Sequence, residues 1–231
     1  MDYLTHLGPV DQELAARQKA TVLEMLQADK TAGTALELAR QAMVWADHAI
    51  SRLEWESPLP RPIVCQAGCH YCCINQVELT APEALLLGHY VDLNFPDAEK
   101  ARLMGRVIKS LRIRAGKTKP QIAQIRQKLR CPLLSGEGRC SVYPLRPLVC
   151  RAMHSLDQEQ CERDLKSNLL RKFEYYAHRY EIIISVLAGL MEGCKAMGLQ
   201  SGPLDIARAL RDFFSRERPV ERWIQGEKVF T

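Results

Sequence analysis

Apolar positions recur along most of this chain at the alternating three- and four-residue steps of an amphipathic helix. Leu36, Ala39, Met43, Ala46, Ile50 and Leu53 form one such stripe. An earlier helix carrying Leu14, Val22, Leu23 and Leu26 precedes it, with Gly33 as the expected break. One or two helices are therefore predicted across residues 11–56. The stripe is too short for a coiled coil, so it reads as a packing face within the fold. Pro58, Pro60 and Pro62 end this region in an extended linker. Thr80-Ala81-Pro82-Glu83 has the form of a helix start: Thr80 caps, Pro82 fits the first turn and Glu83 completes a capping box. After the turn Asn94-Phe95-Pro96-Asp97, Asp97 is expected to cap a helix running to about Ile113. Gly116 and Pro120 then divide the following stretch into two helical pieces.

Residues 131–161 break the pattern. Pro132, Pro144, Pro147 and the turn Ser135-Gly136-Glu137-Gly138 exclude a long helix and leave room for a short hairpin around 139–143. The helical pattern returns over 162–199 through Leu165, Leu169, Phe173, Tyr176, Tyr180, Ile183, Ile184, Leu187 and Leu190. Ser201-Gly202-Pro203 interrupts it, and a last helix is expected over 204–215. The fold class is mainly α: a helical domain with a cysteine-rich, metal-stapled loop core and at most a short β-hairpin. Its parts are an N-terminal helical segment (1–60), a cysteine-cluster region with inserted basic helices (61–161) and a C-terminal helical segment (162–231), all within one domain.

Composition adds little to that picture. The 231 residues are 47% apolar and 26% charged, ordinary for a globular protein with a buried core. The longest apolar run, 182–191, is about half of the roughly 20 residues a membrane-spanning helix needs, so no membrane is expected. The start, Met1-Asp2-Tyr3-Leu4-Thr5-His6, lacks the basic and apolar regions of a signal peptide, and a cytoplasmic location is expected. The net charge of +5 is mild. Residues 100–130, however, hold eleven Lys or Arg and no Asp or Glu. That segment is either a solvated basic face or a docking surface for nucleic acid, an acidic protein or an anionic ligand. The scarcity of interleaved aromatics argues against nucleic acid.

The chemistry lies in the cysteines. Eight of the nine fall between Cys65 and Cys161. In a reducing compartment such clustering points to metal or redox chemistry and away from disulfides. The first group is Cys65-x3-Cys69-x2-Cys72-Cys73. The two-residue gap lets a tight turn aim Cys69 and Cys72 at one point, and Gly68 allows the backbone to fold closely. Soft thiolates suit zinc and iron. Because adjacent side chains usually diverge, Cys72 and Cys73 are expected to serve different centres. The second group, Cys131, Cys140, Cys150 and Cys161, is spaced at nine, ten and eleven residues through proline- and glycine-rich chain that can wrap a centre. Eight thiols suffice for two four-ligand sites, or for one site with spare redox cysteines. A single two-residue gap is unlike the paired knuckles of structural zinc, and three local cysteines plus a distant one is closer to iron–sulfur ligation. The expected cofactor is therefore an iron–sulfur cluster of the 4Fe-4S kind, with Zn as the alternative.

The order of these motifs resembles the CxxCxxCC family, the zinc- or iron-chelating domain of the YkgJ-like cysteine-cluster proteins. The matching residues are Cys65-x3-Cys69-x2-Cys72-Cys73, Cys131-Pro132-Leu133, Gly138-Arg139-Cys140-Ser141-Val142-Tyr143, Arg146-Pro147-Leu148-Val149-Cys150-Arg151 and Cys161. They span under half the chain, and the first gap is three residues where the family name has two. The resemblance implies metal chelation by these cysteines but brings no substrate with it. Flagellin lysine methylases look like distant relatives that carry an iron–sulfur centre.

Arg146 and Arg151 flank the Cys150 motif and are candidates to offset the negative charge of a thiolate-bound cluster, the competing reading being pairing with Glu137 or Asp157. His70 and His154 are expected beside the site or on the surface, Tyr143 against the loop, and Cys194 as a buried structural thiol. The expected function is a metal-binding cysteine-cluster protein with a redox or catalytic-support role. The alternatives are a zinc-stapled interaction module, a redox or metal sensor, and a radical S-adenosylmethionine-type enzyme, for which Cys65-x3-Cys69-x-Tyr71-Cys72 fits the triad. The last would need alternating strands and helices after the motif, and the chain shows none.

Overall fold

The computed structural model describes residues 9–66, 68–167 and 174–231. Among them are ten helices and one two-stranded antiparallel sheet, as a mainly α chain requires. Helix α1 (Gln12–Ala28) starts where the Asp11 carboxylate accepts from the amides of Glu13 and Leu14. Thr31 caps α2 (Ala32–Glu56). The break between them thus falls at 29–31, and Gly33 lies inside the first turn of α2. The capping side chains at Asp11 and Thr31 set these starts, because each satisfies amides that the helix leaves without partners. The α2 stripe is buried from Leu36 to Ile50, but Leu53 is 39% exposed, beyond the reach of the core.

Helix α3 (Ala81–Asn94) carries the predicted capping box, with Thr80 and Glu83 bonded reciprocally. Helix α4 (Asp97–Arg114) begins with Asp97 already helical, so Pro96 takes the capping position. A left-handed Gly116 (φ 69°) turns the chain into the short α5 (Lys119–Gln124), capped by Thr118. Helices α6 (Leu148–Ala152) and α7 (Gln158–Ser167) follow. Cys161 therefore sits on a helix and not in a wrapping loop. The expected hairpin is reduced to a single bridge between Leu134 and Cys140.

Helix α8 (Ala177–Ala196) is the centre of the fold. Every residue from Ile182 through Leu190 is buried, which accounts for the unbroken apolar run. It touches α1, α2 and α6. Gly189 and Gly193, four residues apart, let α1 approach so closely that a Cβ on Gly189 would stand 2.3 Å from the Ala15 carbonyl oxygen. The Glu54 carboxylate near the end of α2 receives both Arg179 (2.5 and 2.6 Å) and His178 (3.0 Å) from the start of α8. Burial raises its pKa, but these bonds outweigh burial and hold it below the usual carboxylate value.

Leu169 and Phe173 lie outside the described residues. The stretch expected as one last helix opens instead with the strand β2 (Leu204–Asp205), which pairs antiparallel with β1 (Glu78–Leu79). Helix α9 (Ile206–Phe214) then packs on α3 and α4, and a further short helix, α10 (Pro219–Ile224), brings Trp223 to full burial. Arg114 at the end of α4 pairs with Asp205 of β2. No helix among the described residues is long and apolar enough to cross a membrane.

Candidate metal centre

The eight clustered cysteines are held by short, hydrogen-bonded turns leaning on the helical frame. The Val64 amide donates to the Ser155 carbonyl (3.1 Å), which lays the chain entering Cys65 beside the chain entering α7. Gly68 takes φ 92°, a left-handed conformation that a side chain would disfavour. Tyr71–Ile74 then form one turn of 3₁₀ helix, with the Cys73 amide donating to the His70 carbonyl (3.0 Å). The two sequence groups are joined directly, since the Cys131 amide donates to the Cys73 carbonyl (2.7 Å). Cys140 sits on the bridge with Leu134, closed by the Ser135 amide to the Arg139 carbonyl (2.7 Å).

Cys150 is placed by a buried carboxylate that the sequence marks only as a capping residue. Glu83 is fully buried. One oxygen accepts from the Thr80 amide (2.7 Å) and hydroxyl (2.8 Å), and the other from the amide of Leu148 (2.7 Å), the first residue of α6. One side chain therefore fastens the starts of α3 and α6 together. Burial pushes its pKa up, against the pull of these bonds.

The thiols line two adjoining cavities. Cys65, Cys69, Cys72 and Cys161 border a cavity of about 70 Å³. Cys73, Cys131, Cys140 and Cys150 border one of about 480 Å³, whose wall Cys69 and Cys72 also reach. Cys72 and Cys73 do not diverge as expected. Their thiols meet, because both face the larger cavity, and that contact, ahead of burial, drives the Cys72 thiol far above its usual pKa. Burial is the first cause pushing up Cys65, Cys131 (to about 12), Cys140, Cys150 and Cys161. Mutual repulsion adds to it: Cys65 and Cys161 each feel Cys69 and Cys72, whereas Cys150 feels Cys131, Cys72 and Cys140. Thiols so placed stay protonated alone. A bound cation supplies the charge that lets them ionise, so the donor set fits a thiophilic metal. Among the described residues, no three His, Cys, Asp or Glu side chains gather tightly enough to hold a single ion. Apart from the Cys72–Cys73 contact, the sulfurs stand around spaces and do not close on a point.

Each cavity has a guanidinium. Arg146 borders the larger one, with its charge 4.4 Å over the Tyr143 ring, and it lowers the pKa of Cys72, Cys140 and Cys150. Arg126 borders the smaller one, buried to 7% exposure, and donates to Asn75 (3.3 Å) and to the Asp164 carbonyl (3.0 Å). Sequence reading overlooked Arg126, one of eleven basic residues spread over 100–130; its burial was the missing signal. Arg151 is turned elsewhere. It bonds the Asp47 carboxylate (2.6 Å) and the carbonyls of Arg146 (2.9 Å) and Pro144 (2.5 Å), bracing the loop before Cys150.

Residues 64–167 match the CxxCxxCC family model. Its description is "Putative zinc- or iron-chelating domain". The CxxCxxCC stretch holds all eight clustered cysteines and both Arg126 and Arg146, and it covers less than half of the 231 residues. The match supports metal binding by this region, with zinc or iron as the metal. No curated protein and no solved structure matches the chain.

The histidines stand apart from this donor set. His154 borders the smaller cavity, but both ring nitrogens are engaged: Nδ1 with the Ala152 carbonyl (2.8 Å) and Nε2 with the Tyr176 amide (2.8 Å). This fixes a neutral ring that donates from Nδ1 and accepts at Nε2. Burial holds its pKa below the usual imidazole value. The unfolded chain then takes up a proton at a higher pH than the folded one, so stability should fall as pH drops below about 6.5. Thermal melts from neutral to mildly acidic pH check this, and the acid loss should shrink in His154→Gln. His70 stacks on Tyr71 with ring centres 5.5 Å apart. Cys194 is wholly buried in α8, with its thiol pushed up to about 12.

Proposed function

We propose that the CxxCxxCC region of this chain carries iron–sulfur chemistry of the 4Fe-4S kind and serves as a redox or catalytic-support centre. The observation that carries the reading is the spread of the thiols, the touching pair Cys72 and Cys73 apart, around two cavities. A lone zinc ion, with Zn–S bonds of about 2.3 Å, draws its four sulfurs tightly together. A multi-iron cluster holds its cysteines farther apart and brings net negative charge, which the guanidiniums of Arg126 and Arg146 are placed to offset. Thiols clustered to hold metal suit a reducing, cytoplasmic setting.

A protein partner would dock on the basic face that α4 and the turns after it present over residues 100–130. There Arg102, Lys109, Arg112, Lys117, Lys128 and Arg130 are exposed, while Arg106, Arg114 and Arg126 are committed to the Pro132 carbonyl, Asp205 and Asn75.

Protein purified without oxygen is expected to be brown, to contain iron and acid-labile sulfide, and to give the Mössbauer spectrum of a cluster. Cys69→Ser should retain less iron and melt earlier, because site energy and loop order are coupled. Colourless protein with stoichiometric zinc would replace this reading with the zinc-stapled module.

A further inference from the structure

We infer that the chain builds two adjoining four-thiolate metal centres: Cys65, Cys69, Cys72 and Cys161 at one, and Cys73, Cys131, Cys140 and Cys150 at the other, with the neighbouring thiols of Cys72 and Cys73 parting to opposite centres when metal binds. This rests on the reading that these thiols hold metal, and it adds how they are shared.

The division follows the cavities. Cys65 and Cys161 border only the smaller one, while Cys73, Cys131, Cys140 and Cys150 border only the larger. Cys69 and Cys72 reach both, and the smaller cavity has four thiols only if both belong to it. The larger then keeps four of its own. The backbone follows the same line. The chain entering Cys65 is bonded to Ser155, shortly before Cys161, whereas Cys73 receives the amide of Cys131. Each set therefore pairs a piece of the first sequence group with a piece of the second.

Charge follows it too. Arg126 borders the smaller cavity and is fixed by Asn75 and the Asp164 carbonyl beside it; Arg146 borders the larger. Each set of thiols thus has one guanidinium on its cavity wall, placed to offset the charge of an anionic centre. A single four-ligand centre would leave four of the eight thiols around these cavities without a metal.

The test counts centres. Native mass spectrometry of the intact protein, prepared without oxygen, should resolve a fully loaded species with two centres and a half-loaded one with one. Cys161→Ser and Cys65→Ser should each lose about half of the total iron plus zinc, as should Cys150→Ser and Cys131→Ser. The double variant Cys161→Ser/Cys150→Ser should lose nearly all of it. Loss of all metal from both Cys161→Ser and Cys150→Ser, with helical content intact, would overturn the division and leave metal binding standing. A wild-type protein whose maximum load is one centre would overturn it without any variant, even if a variant fails to fold. Metal-free wild-type protein would instead sink the reading beneath it.

Discussion

Glu83→Ala is expected to lower the stability of the folded chain by about 4 kcal/mol and to weaken metal retention at Cys150. The carboxylate takes three hydrogen bonds in a site closed to water, two of them from the amides of Thr80 and Leu148. Removing it leaves those two buried N–H groups without partners, at about 1–3 kcal/mol each. It also cuts the only described side-chain bond that fastens the start of α3 to the start of α6. Helix α6 has five residues and cannot hold its own geometry. Cys150, its third residue, would lose its fixed place in the larger cavity. Glu83→Gln should fall between: the amide oxygen can still accept, but the amide nitrogen then faces an N–H donor. Urea unfolding and metal content measured on both variants check this. An unchanged unfolding midpoint in Glu83→Ala would remove the anchor role.

Gly189→Ala is expected to destabilise by about 2–3 kcal/mol, although alanine is the better helix former. Propensity alone would gain about 1 kcal/mol. The new Cβ, however, would meet the Ala15 carbonyl oxygen at 2.3 Å, Gln18 Cβ at 2.7 Å and the Lys19 amide at 3.0 Å. Two of these are backbone atoms of α1 that no rotamer change can move, so α1 must lift away from α8 along the most extensive helix contact in the fold. Overpacking of this kind costs about 1–3 kcal/mol and occasionally more. Gly105, in the interior of α4, is the internal comparison. A Cβ there meets nothing within 4 Å, so Gly105→Ala should stabilise by up to about 1 kcal/mol. Thermal melts of the two variants should therefore move in opposite directions. Movement in the same direction would mean that the α1–α8 approach is not as tight as described.

Both predictions depend on a division of labour between the chain's local pattern and its long-range contacts. The α2 stripe, the box at Thr80 and Glu83, the break at Gly116 and the apolar run of α8 are properties of short windows. A 3.6-residue period or a cap bonded three residues on is set by neighbours, and so it is readable in order along the chain. The cysteine grouping is of the same kind, and it marked the region that proved to carry the CxxCxxCC match.

Nothing in a window says that Glu83 meets Leu148, 65 positions away, or that Arg126 alone among eleven basic residues is buried beside thiols. The pairing of β1 with β2 and the placement of Cys161 on a helix beside Cys65 likewise waited on the folded chain. Residue types and local hydrogen bonds determined which segments are helical and where sulfur is concentrated. Only the packing of α8 against α1, α2 and α6 decided which distant groups share a cavity, because burial and the charge felt by a side chain are set by whatever the fold brings against it.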